Sequence, residues 1–540
     1  MHAAKRPFRL LHSALNPAHR PRLATLPAAP ALSRFKNTSN HPLAGAEHLV
    51  SRASPLLSSS KPTGKRTGPP TELLTVLEET IKTHGPLPVS RYMTLCLNHP
   101  TLGYYTTRKV FGKEGDFITS PEISQVFGEL LAVWYVTQWL QQGAPRAVRL
   151  VELGPGRGTL LADVLRTFKS LPAHSSPPVT SIHLVEQSEA LRGVQKQALE
   201  KAGFGETPVF WHANVEEVPK TDDEFTVAIA HEFFDALPIH IFENTQKGWR
   251  EVLVDIADPK GIMSVLPLLP FLFSLLPAEA SLRVGSVSAD AHEPLRLVLA
   301  PNPTPASALY TGLAQAAMGA VEPTPTLRSA APLLNVDTTL PPPAPSPSVY
   351  ASPSPSPSSR AEAPSLTAQR FARLPQGSRL EISPSSYEIA RGFAKLIEGD
   401  RGGAGLVVDY GDAKAFGRSW RGFRKHQVVD PLTEPGHTDL TANVDFTYLA
   451  EAMSGFATPH GPLSQSRFLT SLGLMPRLAS LMRGAPSEER RRDMEGAAKR
   501  LVDEGGMGGQ YKVLGITPKR TEADGGAECF PFDLDGVGKK

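Results

Sequence analysis

The chain predicts an α/β architecture: a doubly wound, Rossmann-like parallel sheet with a helical segment ahead of it and a long disordered insertion within it. Three observations carry this. Short apolar runs alternate with segments of helical periodicity between residues 148 and 230, an alternation that builds a parallel sheet with helices on both faces. A glycine-rich turn holding Gly154, Gly156 and Gly158 joins the first run to the first helical segment. Pro and Ser then crowd residues 258–375, where 341–359 read PPPAPSPSVYASPSPSPSS. Such a composition cannot bury enough apolar area to order itself.

The elements follow in order. Leu73, Leu74, Leu77 and Ile81 recur at helical spacing, and Gly85 ends that helix. A long helix is expected from Ser120: Thr119 and Glu122 have capping-box spacing, Pro121 suits a first turn, and Val126, Phe127, Leu130, Leu131 and Trp134 form its apolar face. Strands are expected at 148–153, 182–185, 209–212 and 225–230, with helices at 159–168 and 190–202 between them. Right-handed crossovers place the C-terminal ends of these strands on one edge, where a ligand binds. Residues 239–242 and 249–255 read as a hairpin, 386–397 as a helix, 405–409 as a buried strand and 511–516 as a last strand. The expected organisation is a basic leader (1–66), a helical lid or substrate region (71–145), two parts of the core (146–257 and 376–518) around the insertion (258–375), and a loose tail (519–540).

Composition excludes several classes. Lys and Arg number 56 against 53 Asp and Glu, a net charge of +3, so nothing calls for a nucleic-acid partner. Cys96 and Cys529, the two cysteines, have no ligand or disulfide spacing. The apolar run 265–277 is broken by Pro267, Pro270 and Pro277, and no run reaches the roughly 18 residues of a membrane span. No metal is implied, because Asp409 and Asp412 lack neighbouring ligands. Residues 1–66 carry eleven Lys and Arg against the single acid Glu47, with frequent Ser. This is the composition of a mitochondrial transit peptide.

Residues 149–159 read RLVELGPGRGT. Glycine lets the backbone turn sharply and lets a ligand approach closely, and the following helix N-terminus offers free N–H groups. A dinucleotide fingerprint needs its third glycine one residue later. The spacing E-x-G-x-G-x-G is that of S-adenosylmethionine-dependent methyltransferases, and the expected fold is theirs. Glu152 is then placed to attract the cofactor's ammonium, and the amides around Gly154, Gly156 and Gly158 to meet its carboxylate. Glu186, at the end of the second strand, can accept two hydrogen bonds from a ribose diol. Asn214, after the third, is either an adenine contact or a turn former.

After the fourth strand comes His231-Glu232-Phe233-Phe234-Asp235-Ala236-Leu237-Pro238. A guanidinium stays charged and is a poor nucleophile, but carboxylates can grip it and localise its charge. Glu232 and Asp235 are the candidate grip, Phe233 and Phe234 a dry wall, and His231 a base for the released proton. The competing reading is a Phe pair in the core with Asp235 capping the next helix.

The residues also resemble the MidA family. The matching segments include LGYYTTRKVFGKEGDFITSPEISQVFGELLAVW from Leu102, VELGPGRGTL from Val151, VEQSEALRGVQ from Val185, AHEFFDALPIHIFE from Ala230, GLVVDYGD from Gly405 and GHTDLTANVDF from Gly436. Bacterial members commonly carry Asn at the position of His231. The family's mitochondrial members are protein arginine methyltransferases and assembly factors for respiratory complex I. The resemblance therefore implies symmetric dimethylation, in the matrix, of an arginine in a complex I core subunit or assembly intermediate. It implies cofactor roles for Glu152, Gly154, Gly156, Gly158 and Glu186, and substrate roles for Glu232 and Asp235. The alternatives are a methyltransferase acting on a small molecule and a non-catalytic assembly chaperone that keeps the cofactor fold.

Overall fold

Chain order in the computed structural model, which describes residues 71–107, 119–257, 294–317, 365–519 and 529–533, begins with helix α1 (Glu72–His84), strand β1 (Leu87–Pro88) and α2 (Val89–Asn98). The leader expected over 1–66 lies outside the described residues. Short α3 (Tyr104–Thr107) and α4 (Ser120–Ile123) precede α5 (Gln125–Gln141). Strands and helices then alternate: β2 (Val148–Leu153), α6 (Thr159–Ser170), β3 (Val179–Val185), α7 (Glu189–Lys201), β4 (Val209–His212) and β5 (Phe225–His231). The hairpin β6 (His240–Thr245) and β7 (Gly248–Ile256) leads to β8 (Leu295–Leu299), α8 (Pro305–Ala317), α9 (Leu366–Arg373) and β9 (Arg379–Ile382). The chain returns through α10 (Pro384–Lys395) to β10 (Gly403–Asp412). Next come β11 (Arg421–Arg424), β12 (Gln427–Val429), β13 (Asp439–Thr441), β14 (Val444–Asp445) and α11 (Phe446–Met453). The last elements are β15 (Ala457–Ser464), α12 (Gln465–Ser471), α13 (Leu474–Arg483), α14 (Glu488–Val502), α15 (Met507–Gln510) and β16 (Tyr511–Pro518).

The main sheet has the order β15-β16-β10-β5-β2-β3-β4, with β14 also paired to β10. Strands β10, β5, β2, β3 and β4 are parallel, and β16 and β15 close one side antiparallel. The chain builds outward from β2 through β3 to β4 and restarts at β5 on the other side of β2. The reversal creates the crevice at which such sheets bind ligands. Along β10, Leu406 and Val408 pack with α5 and α6, while Val407 packs with α10 and α11 on the opposite face. Each such side chain contributes about 1.5–3 kcal/mol by leaving water. A second sheet, β1-β7-β6-β9 with β8 on β7, packs against α1 and α2.

Three expectations are corrected. The helix expected from Ser120 is two helices. Ser124 is extended at φ −158°, and its hydroxyl accepts the N–H of Val126 to start α5. A capping serine there outcompetes continuation of the first helix. Most of the insertion expected over 258–375 lies outside the described residues, but its described parts are ordered. Residues 295–299 alternate as LRLVL and pair antiparallel with β7, and α9 buries Phe371 against Trp249. The tail is not loose at 529–533: Cys529 is buried, Phe532 packs on Trp134, and the Phe530 carbonyl accepts the Trp134 indole N–H at 2.9 Å.

One buried cation ties β2 to its neighbours. Arg149, 1% exposed, donates to the Thr226 hydroxyl at 2.9 Å, the Leu396 carbonyl at 3.1 Å, and the Pro219 carbonyl. Arg149→Met is expected to cost about 2–4 kcal/mol in urea unfolding, because the buried Leu396 carbonyl and the buried Thr226 hydroxyl lose their donor.

Candidate active site

At the C-terminal edge of the parallel strands lies a cavity of about 700 Å³. The turn after β2 forms its floor. Gly154 and Gly158 both have left-handed φ, +60° and +77°, and Gly156 has +51°. A β-carbon on Gly154 would sit 2.8 Å from the Phe233 ring, so glycine is required there on two counts. Gly154 and Gly156 line the cavity with the first residues of α6, whose free N–H groups suit an anion. Gly158 instead sits behind the wall, as the left-handed residue that starts α6.

Glu152 is 2% exposed, and its Oε2 has no hydrogen-bond partner among the described residues. Burial pushes its carboxyl up to about 8. A ligand ammonium is the kind of group that would satisfy this oxygen. Glu186 follows β3. Its Oε1 accepts the Ser188 N–H at 2.8 Å and its Oε2 the Gln195 amide at 3.1 Å. Gln195 also donates to the Gly156 carbonyl at 2.9 Å, so one side chain ties the turn to Glu186. Asn214 lines the cavity, but its amide donates to Glu217 at 3.1 Å, the behaviour of a turn former. The residues present thus fit S-adenosylmethionine at both ends: an orphaned acid with free amides, and an oriented acid.

On the β5 side the chain emerges as His231, Glu232 and Asp235. Glu232 has φ +49°, a left-handed conformation that costs a non-glycine residue about 1–3 kcal/mol. Its Oε1 is buried without a hydrogen-bond partner among the described residues. Burial, and then Asp235, push its carboxyl up to about 8, while Tyr511 and the Ser120 backbone oppose the shift. Asp235 is raised by burial and held down by the Tyr410 and Thr441 hydroxyls. It caps no helix, since the next element is β6. Phe233 borders the cavity, whereas Phe234 turns into the core, so the expected two-ring wall is one ring. His231 packs edge-on to Phe127, and burial lowers its imidazole to about 3. Its Nε2 lies 3.5 Å from Glu232 Oε1, and burial makes the ring a weak acceptor for the released proton.

Asp409 was read from sequence only as a poor metal ligand. It sits at the end of β10, fully buried, and its Oδ2 accepts the N–H groups of Phe233, Phe234 and Asp235 at 3.2, 3.0 and 3.3 Å. Tyr410, Thr441 and Tyr511 surround the same acids, and Tyr105 donates to Asp439 at 3.0 Å on the far wall. The signal was local and weak: acids and tyrosines in short strands whose neighbours are set by long-range pairing.

This sheet order, with an acid-led glycine turn at its crevice, defines a nucleotide-cofactor enzyme of the S-adenosylmethionine-dependent methyltransferase class. A family model described as "Putative S-adenosyl-L-methionine-dependent methyltransferase" matches residues 130–463, and the chain belongs to that MidA-like family. The mitochondrial protein arginine methyltransferase NDUFAF7 of Mus musculus is 32% identical over 478 residues, covering 85% of this chain and 87% of its own. The Homo sapiens protein of that name is 32% identical, covering 83% and 84%. A Burkholderia thailandensis crystal structure with S-adenosyl-homocysteine bound has a TM-score of 0.54 at 24% identity, covering 82% of this chain and 91% of that one. Its likeness shows the fold.

The raised Glu152 carboxyl fixes a sign. With its folded pKa near 8 and its unfolded value near 4.5, the ligand-free protein loses stability as pH rises through that window. Glu152→Gln is therefore expected to raise Tm at pH 8 by a few degrees and to flatten its decline from pH 5 to 8, while S-adenosylmethionine binding falls. Thermal melts and calorimetric titration measure the two.

Proposed function

We propose that this chain is an S-adenosylmethionine-dependent protein arginine N-methyltransferase acting in mitochondria. The observation that carries the reading is the buried Oε1 of Glu232, which has no hydrogen bond among the described residues and only the His231 ring 3.5 Å away, held at the cavity by a left-handed backbone beside Asp235. Two carboxyls pushed up by burial, Glu232 further by Asp235, form a site that a delocalised cation relieves. The mitochondrial arginine methyltransferases reported above support both the acceptor and the compartment.

Glu152 would hold the cofactor's ammonium, the Gly156 amide and the free N–H groups that open α6 its carboxylate, Glu186 its ribose hydroxyls, and Asn214 the edge of its adenine. When bound, the cofactor supplies a sulfonium-activated methyl group. Glu232 and Asp235 grip the acceptor guanidinium, localise its charge away from the reacting nitrogen and fix it at near-attack distance, about 3–3.5 Å. The nitrogen that gains the methyl loses a proton, and Glu232 accepts it. His231 stays neutral and packs the floor. On the family resemblance, the reading extends to symmetric dimethylation of an arginine in a complex I core subunit or assembly intermediate.

The test is methyl transfer to arginine-containing peptides and complex I subunits, with mass-spectrometric assignment of the product. Glu232→Gln is expected to lower kcat/KM about a hundredfold or more with cofactor affinity within about twofold. Transfer to a small molecule but to no arginine would sink the reading. Complex I assembly that survives Glu232→Gln while methylation is abolished would leave the methyltransferase reading in place and assign the assembly role to binding.

A further inference from the structure

Asp235 is bound from a direction that the proposed transfer does not explain. Tyr410, on β10, donates its hydroxyl to Asp235 Oδ2. Thr441, on β13, donates to the same oxygen at 2.8 Å, and the two hydroxyls touch each other. The backbone repeats the link: the Ala442 N–H donates to the Asp235 carbonyl at 3.0 Å. The Tyr410 ring is itself fixed, with the Arg421 guanidinium 5.0 Å above it and the Tyr511 ring 5.5 Å away, edge-on. Asp235, Thr441 and Tyr410 are all largely buried, so neither hydroxyl is a surface group that happens to point inward.

We propose that the Tyr410 and Thr441 hydroxyls are a positioning pair that keeps Asp235 ionised and aimed at the acceptor guanidinium, and so contribute, beside the proton acceptor Glu232, to the lower pH limit of turnover. The proposal rests on the arginine acceptor assigned above. In the transfer, the C–S bond breaks, its electron pair stays on sulfur, a C–N bond forms, and the nitrogen's proton passes to Glu232 and on to water. Asp235 takes no proton in this scheme. It must remain a counter-charge throughout, in a place where burial favours the neutral acid. Two O–H donors to one oxygen favour the charged form.

Other groups face Asp235 as well. Asp409 shares β10, Glu232 shares its own segment, and both oppose a second negative charge. Tyr511 on β16 and Tyr105 on α3 stay neutral beside it, and Arg421 on β11 favours its ionisation. Among the described residues, Tyr410 and Thr441 are the side chains that hydrogen-bond the Asp235 carboxylate.

Tyr410→Phe keeps the ring and its contacts and removes one donor. Thr441→Val is its near-isosteric counterpart. The rate of peptide arginine methylation would be followed from pH 5.5 to 9, alongside arginine-peptide affinity over the same range with S-adenosyl-homocysteine bound. Removing a donor to the charged form raises the pKa, so the acid limb of kcat is expected to move up by about one pH unit in Tyr410→Phe. Thr441→Val should move it in the same direction, the double variant should move it furthest, and peptide affinity should follow. Cofactor affinity, within about twofold of wild type, shows that each variant is folded. Acid limbs unmoved in both single variants, with cofactor binding intact, would overturn the proposal while leaving the arginine reading in place. A wild type that methylates no arginine would overturn that reading and this proposal with it.

Discussion

The Asp409 carboxylate takes three successive backbone N–H groups on one oxygen, and the substrate side of the cavity depends on that contact. The turn after β5 has no strand partner of its own for these amides. In a buried setting each unsatisfied N–H would cost about 1–3 kcal/mol, and the left-handed backbone at Glu232 adds its own strain. Asp409 offsets both. It can do so because parallel pairing sets Val408 opposite His231, so the next residue on β10 emerges beside the next residues on β5. Burial, then Asp235 and Glu232, push the Asp409 carboxyl up, while amides at its two oxygens pull the other way. The sheet register thus delivers Glu232 and Asp235 to the cavity as surely as the glycine turn delivers Glu152.

The same crowding of acids suits the chemistry proposed here. A methyl transfer to arginine brings two cations together, a sulfonium and a guanidinium. At about 4 Å and an effective dielectric near 20, two unit charges repel by roughly 4 kcal/mol. Glu152, Glu232 and Asp235 line the cavity wall, and burial pushes all three carboxyls up. Each incoming cation draws the acids towards ionisation and is stabilised by them in turn. The site is therefore electrostatically incomplete without its ligands, which is the condition for selecting positive ones.

Much of this was legible in the chain, and the reason is period. β2 and β4 begin and end where apolar runs begin and end, and the glycine turn announces the crevice because its spacing is local. What was not legible depends on distance along the chain. Asp409 lies 174 residues from the Asp235 amide it accepts, and Thr441 lies 206 from the carboxylate it meets. Within GLVVDYGD nothing distinguishes Asp409 from a strand-end acid. The break at Ser124 was missed because Thr119 and Ser124 both carry helix-start signals and the apolar face runs through the second. Residues 295–299 and 529–533 were lost to composition: a few ordered residues inside Pro-rich or polar surroundings do not change the average.

The binding-only alternative, a chaperone that keeps the fold without the chemistry, meets a thermodynamic difficulty. A buried acid oxygen without a hydrogen bond lowers the stability of the ligand-free protein, and Glu152 and Glu232 each have one among the described residues. A left-handed backbone at a residue with a side chain adds strain at the second of them. Uncharged residues of similar volume at both positions would relieve burial, and glycine at 232 would relieve the strain. Stabilising exchanges of that kind are common and neutral where no activity opposes them. A scaffold working through its surface has no use for these groups, whereas an enzyme that must hold an ammonium and a guanidinium needs both. The instability sits where the proposed ligands would remove it, and that coincidence is the structural argument for catalysis over binding alone.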